Sequence, residues 1–200
     1  ANLQMFNLDD ALLQFKKAIE SRYSIDLRVV LDAMASVALI QHFNNQQEDA
    51  KNSINELMEF VSETGDPVDL LIANSAKARI AWLQNDLDTA LSWAEEFTKK
   101  HTFAGMFFWL EVPWITQAKV LIAKGSRESL KRAVELLHEL VELADSSNLV
   151  YQSIEIKILL TLAFEKQKQF DEAMTVLGKT VTLAESLGWI RPFIEAGPEM

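Results

Sequence analysis

Apolar residues recur at helical spacing along almost the whole chain, and short polar strings cut them into segments. Leu8, Ala11, Leu12, Phe15, Ala18 and Ile19 lie three or four positions apart. That places them on one face of a helix running from about residue 8 to 22. Asn7 can cap this helix, and Asp9 and Asp10 put negative charge at the positive end of its dipole. A second helix over about 26–43 carries Val30, Met34, Val37, Ala38 and Ile40 and leaves through Asn44-Asn45-Gln46-Gln47. A third, over about 48–63, is stopped by Gly65. Asp66-Pro67 opens a fourth helix, because Asp caps and Pro tolerates the first turn, where its missing N–H costs nothing. This helix runs to about 84, and a fifth follows over about 87–100. Helices are also predicted over 127–145, 149–168 and 170–187, with Gly125-Ser126, Ser147-Asn148 and Gln169 as turns.

The regular pattern fails between these two groups. Thr102-Phe103-Ala104-Gly105 interrupts it, and the next stretch, 106–125, gathers Phe107, Phe108, Trp109 and Trp114 around Pro113. Proline inside a helix removes a hydrogen bond and clashes one turn back. The segment therefore either kinks or starts a helix near Glu111–Pro113. The length of the apolar pattern favours one long, kinked helix.

Superimposed on the helices is a repeat. Ala11, Ala50, Ala90, Ala133 and Ala173 follow one another at intervals of 39, 40, 43 and 40 residues. Four residues after each stand Phe15, Ile54, Ala94, Leu137 and Leu177, all apolar. Eight after stand Ile19, Met58, Thr98, Val141 and Val181, and three before stand Leu8, Gln47, Leu87, Leu130 and Phe170. A small side chain at a fixed point lets a neighbouring helix approach, and the large ones around it fill the space. Helix, short turn and helix at a period of roughly 34–45 residues marks an all-α solenoid of the tetratricopeptide (TPR) type. The expected architecture is a single TPR-like domain over residues 1–200, a superhelix of about five hairpins. The first helix of each would line a concave, ligand-presenting face.

Composition narrows the function. Net charge is −10, which argues against gripping a phosphate backbone or an anionic membrane. No apolar run is long enough for a membrane span, and the first residues lack the basic-then-apolar form of a signal peptide. There is no Cys, so disulfides, thiolate metal sites and thiol catalysis are excluded. A cytoplasmic location is the expectation.

The segment 118–197 resembles the helical-repeat sensor domain of MalT-like, LuxR-type large ATP-dependent transcription regulators. The resemblance rests on Ala118, Leu121, Gly125, Ala133, Leu136, Leu137, Ile154, Glu155, Ala173, Leu177 and the closing run Ala184, Gly188, Arg191, Phe193 and Gly197. Residues before 118 match only as generic repeats. One departure is Lys168-Gln169-Phe170 at the last hairpin turn, where relatives often have Gly. The resemblance implies that the chain is a piece of a longer regulator, with a nucleotide-binding module before the repeats and a helix-turn-helix after them. It also implies that the repeats bind a small-molecule inducer or a peptide or protein partner, and that this binding favours ATP-dependent self-association and DNA binding. No Gly-x-x-x-x-Gly-Lys-Ser/Thr loop is present, so ATP is expected in a separate domain and no cofactor in this one.

Candidate chemistry is sparse. His42, His101 and His138 lie on separate hairpins with no second His at i+4, and are read as surface or helix-end residues. No nucleophile elbow is present, so no enzyme is expected. The aromatic stretch suits a small-molecule pocket or a peptide groove. Its candidate lining is Trp109, Glu111, Trp114 and Gln117, with Arg79 and Trp82 from the preceding hairpin facing the same way. Against this stands the plainer account that the rings fill the space left by the Pro113 kink and the 43-residue interval, and that Trp82 is inter-repeat core. Arg191 is read as structural, bonding helix-end carbonyls or a carboxylate such as Glu155. The tail 189–197 is expected to seal the last repeat by packing Trp189 and Phe193 on it.

Overall fold

Helices are joined by the same tight turn, used again and again. A computed structural model of the chain describes residues 2–98 and 109–197. Among them are ten helices: α1 (Leu8–Glu20), α2 (Leu27–Phe43), α3 (Gln47–Thr64), α4 (Pro67–Leu83), α5 (Leu87–Glu96), α6 (Pro113–Lys124), α7 (Arg127–Ser146), α8 (Val150–Lys166), α9 (Phe170–Leu187) and α10 (Arg191–Ala196). Asn45, Asn85, Asn148 and Lys168 each follow a helix with φ of 60, 63, 55 and 63°. The next amide bonds back to the helix: Gln46 N–H to Gln41 C=O at 2.8 Å, Asp86 to Ala81 at 2.8 Å, Leu149 to Ala144 at 2.8 Å and Gln169 to Phe164 at 2.9 Å. This left-handed closure satisfies carbonyls that the helix end leaves open.

Helix starts follow from the caps. The Asp26 carboxylate accepts from Arg28 N–H at 2.8 Å and the Asp66 carboxylate from Val68 N–H at 2.7 Å, with Pro67 in the first turn as expected. Ser126 Oγ accepts from Ser129 N–H at 3.1 Å. Gly65 ends α3 in the left-handed conformation at φ 66°.

The stretch around Pro113 differs from the expected kinked helix. Trp109 and Leu110 form a bend, Val112 is non-helical, and α6 starts at Pro113 itself. The residue before a proline is pushed out of the helical region, and a proline at the first helical position loses no bond. The capping economy of a fresh start outweighs the continuity of the apolar pattern. Phe107 and Phe108 lie outside the described residues.

Chain contacts divide the molecule into two compact units. The proximal unit holds residues 8–98 and 109–116, and the distal unit 2–7 and 117–197, with α6 passing from one to the other. In the proximal unit α1, α3 and α5 each pack beside the next or preceding helix, and α2 packs on α4. In the distal unit α8 packs between α7 and α9 and also takes α10. The first helices of neighbouring hairpins, α2 and α4, thus pack on one another, as in a TPR-like all-α solenoid.

All five repeat alanines are buried. The columns around them are more specific than the sequence suggested. Four residues on, Ile54, Ala94 and Leu137 are buried; seven on, Leu57, Phe97, Leu140 and Thr180 are buried; eleven on, Val61, Ala144 and Ala184 are buried. The positions three before and eight after are less buried, Leu130 excepted, and on α9 they are open to solvent at Phe170 and Val181. The first helices carry the converse pattern. α2 is buried without interruption from Val30 to Ile40, and α8 from Gln152 to Ile156 and Ile158 to Phe164.

Candidate functional site

Burying helices on nearly every face also buries their polar side chains, and in each unit these assemble into a charged network. In the proximal unit the centre is Glu111. Its carboxylate accepts from Ser75 Oγ at 2.5 Å, Thr116 Oγ1 at 2.7 Å and Arg79 Nη1 at 2.9 Å. Arg79 also donates to the Leu110 carbonyl at 3.4 Å. From α2, Asp32 accepts the Leu110 N–H at 2.9 Å and the Glu111 N–H at 3.2 Å, while Arg28 Nη2 donates to the Glu111 carbonyl at 2.6 Å. Arg28 pairs with Asp32 at 3.4 Å and lies 5.3 Å above the Trp109 ring. The non-helical run 109–112 is thus fastened by its own main chain, whose groups have no helical partners and must be satisfied when buried. Burial pushes the Asp32 carboxyl up to about 6, outweighing the Arg28 pair and the two N–H bonds that favour its charge.

Sequence reasoning singled out six residues here. Arg79 and Glu111 are brought together as a buried ion pair. Trp109 is half-buried beneath Arg28. Trp114 is buried and meets Phe97 edge-on, with centroids 5.9 Å apart at 61°. Gln117 is buried in the distal unit and Trp82 is half-buried on α4. None of the six is an exposed side chain.

The open surface lies one layer out. A groove of about 720 Å³ runs between α4 and α5 and is lined by Asn74, Lys77, Trp93, Glu96 and Phe97, among others. Trp93 and Phe97 stack at 5.1 Å with their planes 17° apart, and Trp114 backs Phe97 from behind. The volume lies within the usual range of ligand sites. Its lining combines the aromatic pair with Lys77, Asp88 and Glu96 and with the amide and hydroxyl groups of Asn74, Thr89, Ser92 and Thr98. The available signal was Trp93 with Phe97 at i+4 on one helix. Trp93 stands beside the buried Ala90–Ala94–Phe97 column and is itself only half-buried. Among the described residues no group of three or more His, Asp or Glu is placed to hold a metal ion.

The distal network joins side chains of α6, α8 and α10. Lys119 Nζ donates to Glu155 at 2.7 Å and to Glu195 at 2.5 Å. Arg191 donates to Glu155 at 2.9 Å and pairs with Glu195. Tyr151 Oη donates to Glu155 at 2.8 Å, and Arg191 lies 5.3 Å over the Tyr151 ring. The expected Arg191–Glu155 contact is present. So is the seal: Trp189 and Phe193 pack on Ile154, Ile158 and Ala184. The short helix α10 within the tail was not foreseen.

Comparison with known proteins agrees with this architecture. Among solved structures, the TPR-like repeats of a Podosopora anserina putative kinesin light chain align with a TM-score of 0.50, at 16% identity over 92% of this chain and 91% of that one. A single-substitution form of those repeats aligns at 0.52, with 15% identity over 93% and 91%. At such identity the likeness concerns the fold alone. No curated protein matches in sequence. The sequence pattern of the MalT-like TPR region matches residues 3–200. With repeat, buried alanine columns and closing motif in agreement over that span, the chain belongs to the MalT-like TPR family.

Proposed function

We propose that this chain is the effector-sensing, protein-interaction domain of a bacterial MalT-like, LuxR-type transcription regulator. In this reading it carries out no reaction of its own. It works in the cytoplasm, binds an inducer or a peptide or protein partner, and so governs ATP-dependent self-association and DNA binding by modules outside this chain. ATP belongs to one of those modules. What supports the reading is the family match over residues 3–200. The α4–α5 groove with its Trp93–Phe97 stack also supports it, as a surface with the size and lining of a binding site. No helix among the described residues is long and apolar enough to cross a membrane, and the net charge of −10 directs attention to partners other than nucleic acid.

The test is a thermal-shift screen of metabolites, sugars and peptides on the wild-type chain and on Trp93→Ala, since a ligand of the native state raises its stability by mass action. A compound that raises the melting temperature of the wild type but not of Trp93→Ala supports sensing at the groove. Equal shifts in both remove the groove from the reading. The reading frame supplies a second test. A phosphate-binding loop before this segment and a helix-turn-helix after it support a regulator, and a frame without either makes the chain a free-standing scaffold for a peptide or protein.

A further inference from the structure

α10 is six residues long, far too short to persist by its own hydrogen bonds. Its position must come from what it touches: Phe193 and Ala196 pack on Ile154, Ile158 and Ala184, and two further sets of contacts are polar. One is the buried charge cluster, in which Arg191 and Glu195 of α10 meet Lys119 of α6 and Glu155 of α8. The other comes from the opposite end of the described chain. The Gln4 carbonyl accepts from Ile190 N–H at 2.9 Å and Arg191 N–H at 3.0 Å, and Gln4 Oε1 accepts from Arg191 Nε at 2.8 Å. Leu3 and Gln4 are both buried.

Residues 2–7 are docked through the buried Leu3 and Gln4. They form a turn closed by Phe6 N–H to Leu3 C=O at 3.1 Å and Asn7 N–H to Asn2 C=O at 2.9 Å, with Phe6 at φ 61°. A bulky residue in the left-handed region costs free energy, so the turn persists because its docking holds it. Arg191 belongs to both sets of contacts. Its guanidinium, about 1% exposed, spends Nη1 and Nη2 on Glu195 and Glu155 and Nε on Gln4. Withdrawing Gln4 leaves a buried charged N–H and two helix-start amides without these acceptors, a cost that falls on α10. Withdrawing α10 removes every donor named here that Gln4 uses.

We propose that residues 2–7 and α10 form one coupled latch, in which the ordering of each chain end depends on the other through Arg191. A partner or chain movement that draws residues 2–7 away releases α10, and a force on α10 frees residues 2–7 by the same factor, because coupling between two binding events is reciprocal. The latch relays a signal directly between these two segments.

Amide exchange followed by NMR on the full chain tests this with Gln4→Ala, Arg191→Lys and the double variant. Gln4→Ala removes only one acceptor, and Arg191→Lys keeps the charge, so both retain the fold. Gln4→Ala is expected to speed exchange at Phe193–Gly197 about tenfold while the amides of Ile154–Ile158 keep their rates. Arg191→Lys is expected to speed exchange at Phe6 and Asn7 by a similar factor, and the double variant to add little to the larger single effect. Unchanged α10 exchange in Gln4→Ala overturns the latch. So do effects that multiply in the double variant, or a parallel rise across Ile154–Ile158.

Discussion

The two buried networks solve different problems with the same residue types. In the proximal unit, Arg28, Asp32 and Arg79 spend bonds on the main chain of Leu110 and Glu111. In the distal unit, Lys119, Glu155, Arg191 and Glu195 meet one another side chain to side chain. The difference follows from what is being held. The run 109–112 is not helical, so its amides and carbonyls need partners, and buried carboxylates and guanidinium groups supply them. α10 satisfies part of its own main chain, so its charged residues are free to pair with those of α6 and α8. The first network shapes an irregular segment, and the second locates a regular one. Neither is expected to add much net stability over an apolar core, since desolvation offsets most of the attraction. Removing a single partner is costly in both.

The largest expected effect comes from removing one charge of the distal cluster. Arg191→Met leaves Glu155 and Glu195 with Lys119 and Tyr151, two buried carboxylates against one of their two cations. The loss is expected to be about 3–5 kcal/mol, measured by urea unfolding followed by tryptophan fluorescence. A loss below about 1 kcal/mol would mean that the carboxylates find water, and the cluster would then be no better than a surface pair. The matching change in the proximal unit is Glu111→Gln. The amide oxygen still accepts from Ser75 or Thr116, and Arg79 keeps the Leu110 carbonyl. A smaller loss of about 2–3 kcal/mol is expected, with faster amide exchange at Leu110 and Glu111. Equal losses in the two variants would erase the distinction between shaping and locating.

How much of this was readable beforehand follows the same division. The repeat alanines, the Asp66-Pro67 start, the helix at Phe170–Leu187 and the Arg191–Glu155 contact all rest on local rules or a fixed period, and all were legible. The start of α6 at Pro113 was only one of two readings, because the apolar pattern of the sequence continues through 106–112 while the described residues 109–112 are not helical. Arg79 and Glu111 were selected together as pocket lining, and the structure joins them as a buried pair. Sequence spacing indicates that residues share a face, but which groups fill one another's valences depends on where 109–112 crosses α2 and α4. Asp32 and Arg28 were missed for that reason: their partners are main-chain atoms 78 to 83 residues away, which no side-chain pattern announces. Trp93 was missed because it stands beside a core column without belonging to it.

A pH measurement sharpens the proximal side. The Asp32 carboxyl is pushed up to about 6 in the folded chain by burial, against Arg28 and the two N–H bonds, with Glu111 adding a smaller push upward. In the unfolded chain it titrates near 3.9. Since the folded value is the higher one, the folded state binds the proton more tightly. The associated stability is fully present below about pH 3.9 and is lost as pH rises through about 6. Between pH 5 and 7 the wild type is therefore expected to lose about 1 kcal/mol relative to Asp32→Asn, read from urea midpoints of both proteins at each pH. Parallel curves would show that the Arg28 pair and the Leu110 and Glu111 amides hold Asp32 charged throughout. The grip on 109–112 would then be ionic in the same sense as the distal cluster.

The smallest expected effect compares the units at their turns. The proximal hairpins turn on Asn45 and Asn85, and the distal α8–α9 hairpin turns on Lys168, all with φ near 60°. Asn tolerates the left-handed region through local hydrogen bonding, whereas a long side chain is disfavoured there by its Cβ. Glycine has no Cβ and enters the region freely, although it also gains freedom in the unfolded chain. The first effect outweighs the second at a helix end already closed by the Gln169-to-Phe164 bond. Lys168→Gly is therefore expected to stabilise the chain by about 0.5–1 kcal/mol, and Asn85→Gly to change it by only a few tenths. The check is a pair of denaturant midpoints against the wild type. If Lys168→Gly proves neutral while Asn85→Gly stabilises, Lys168 is contributing something at that turn beyond its backbone, and the distal hairpin is built on a different principle from the proximal ones.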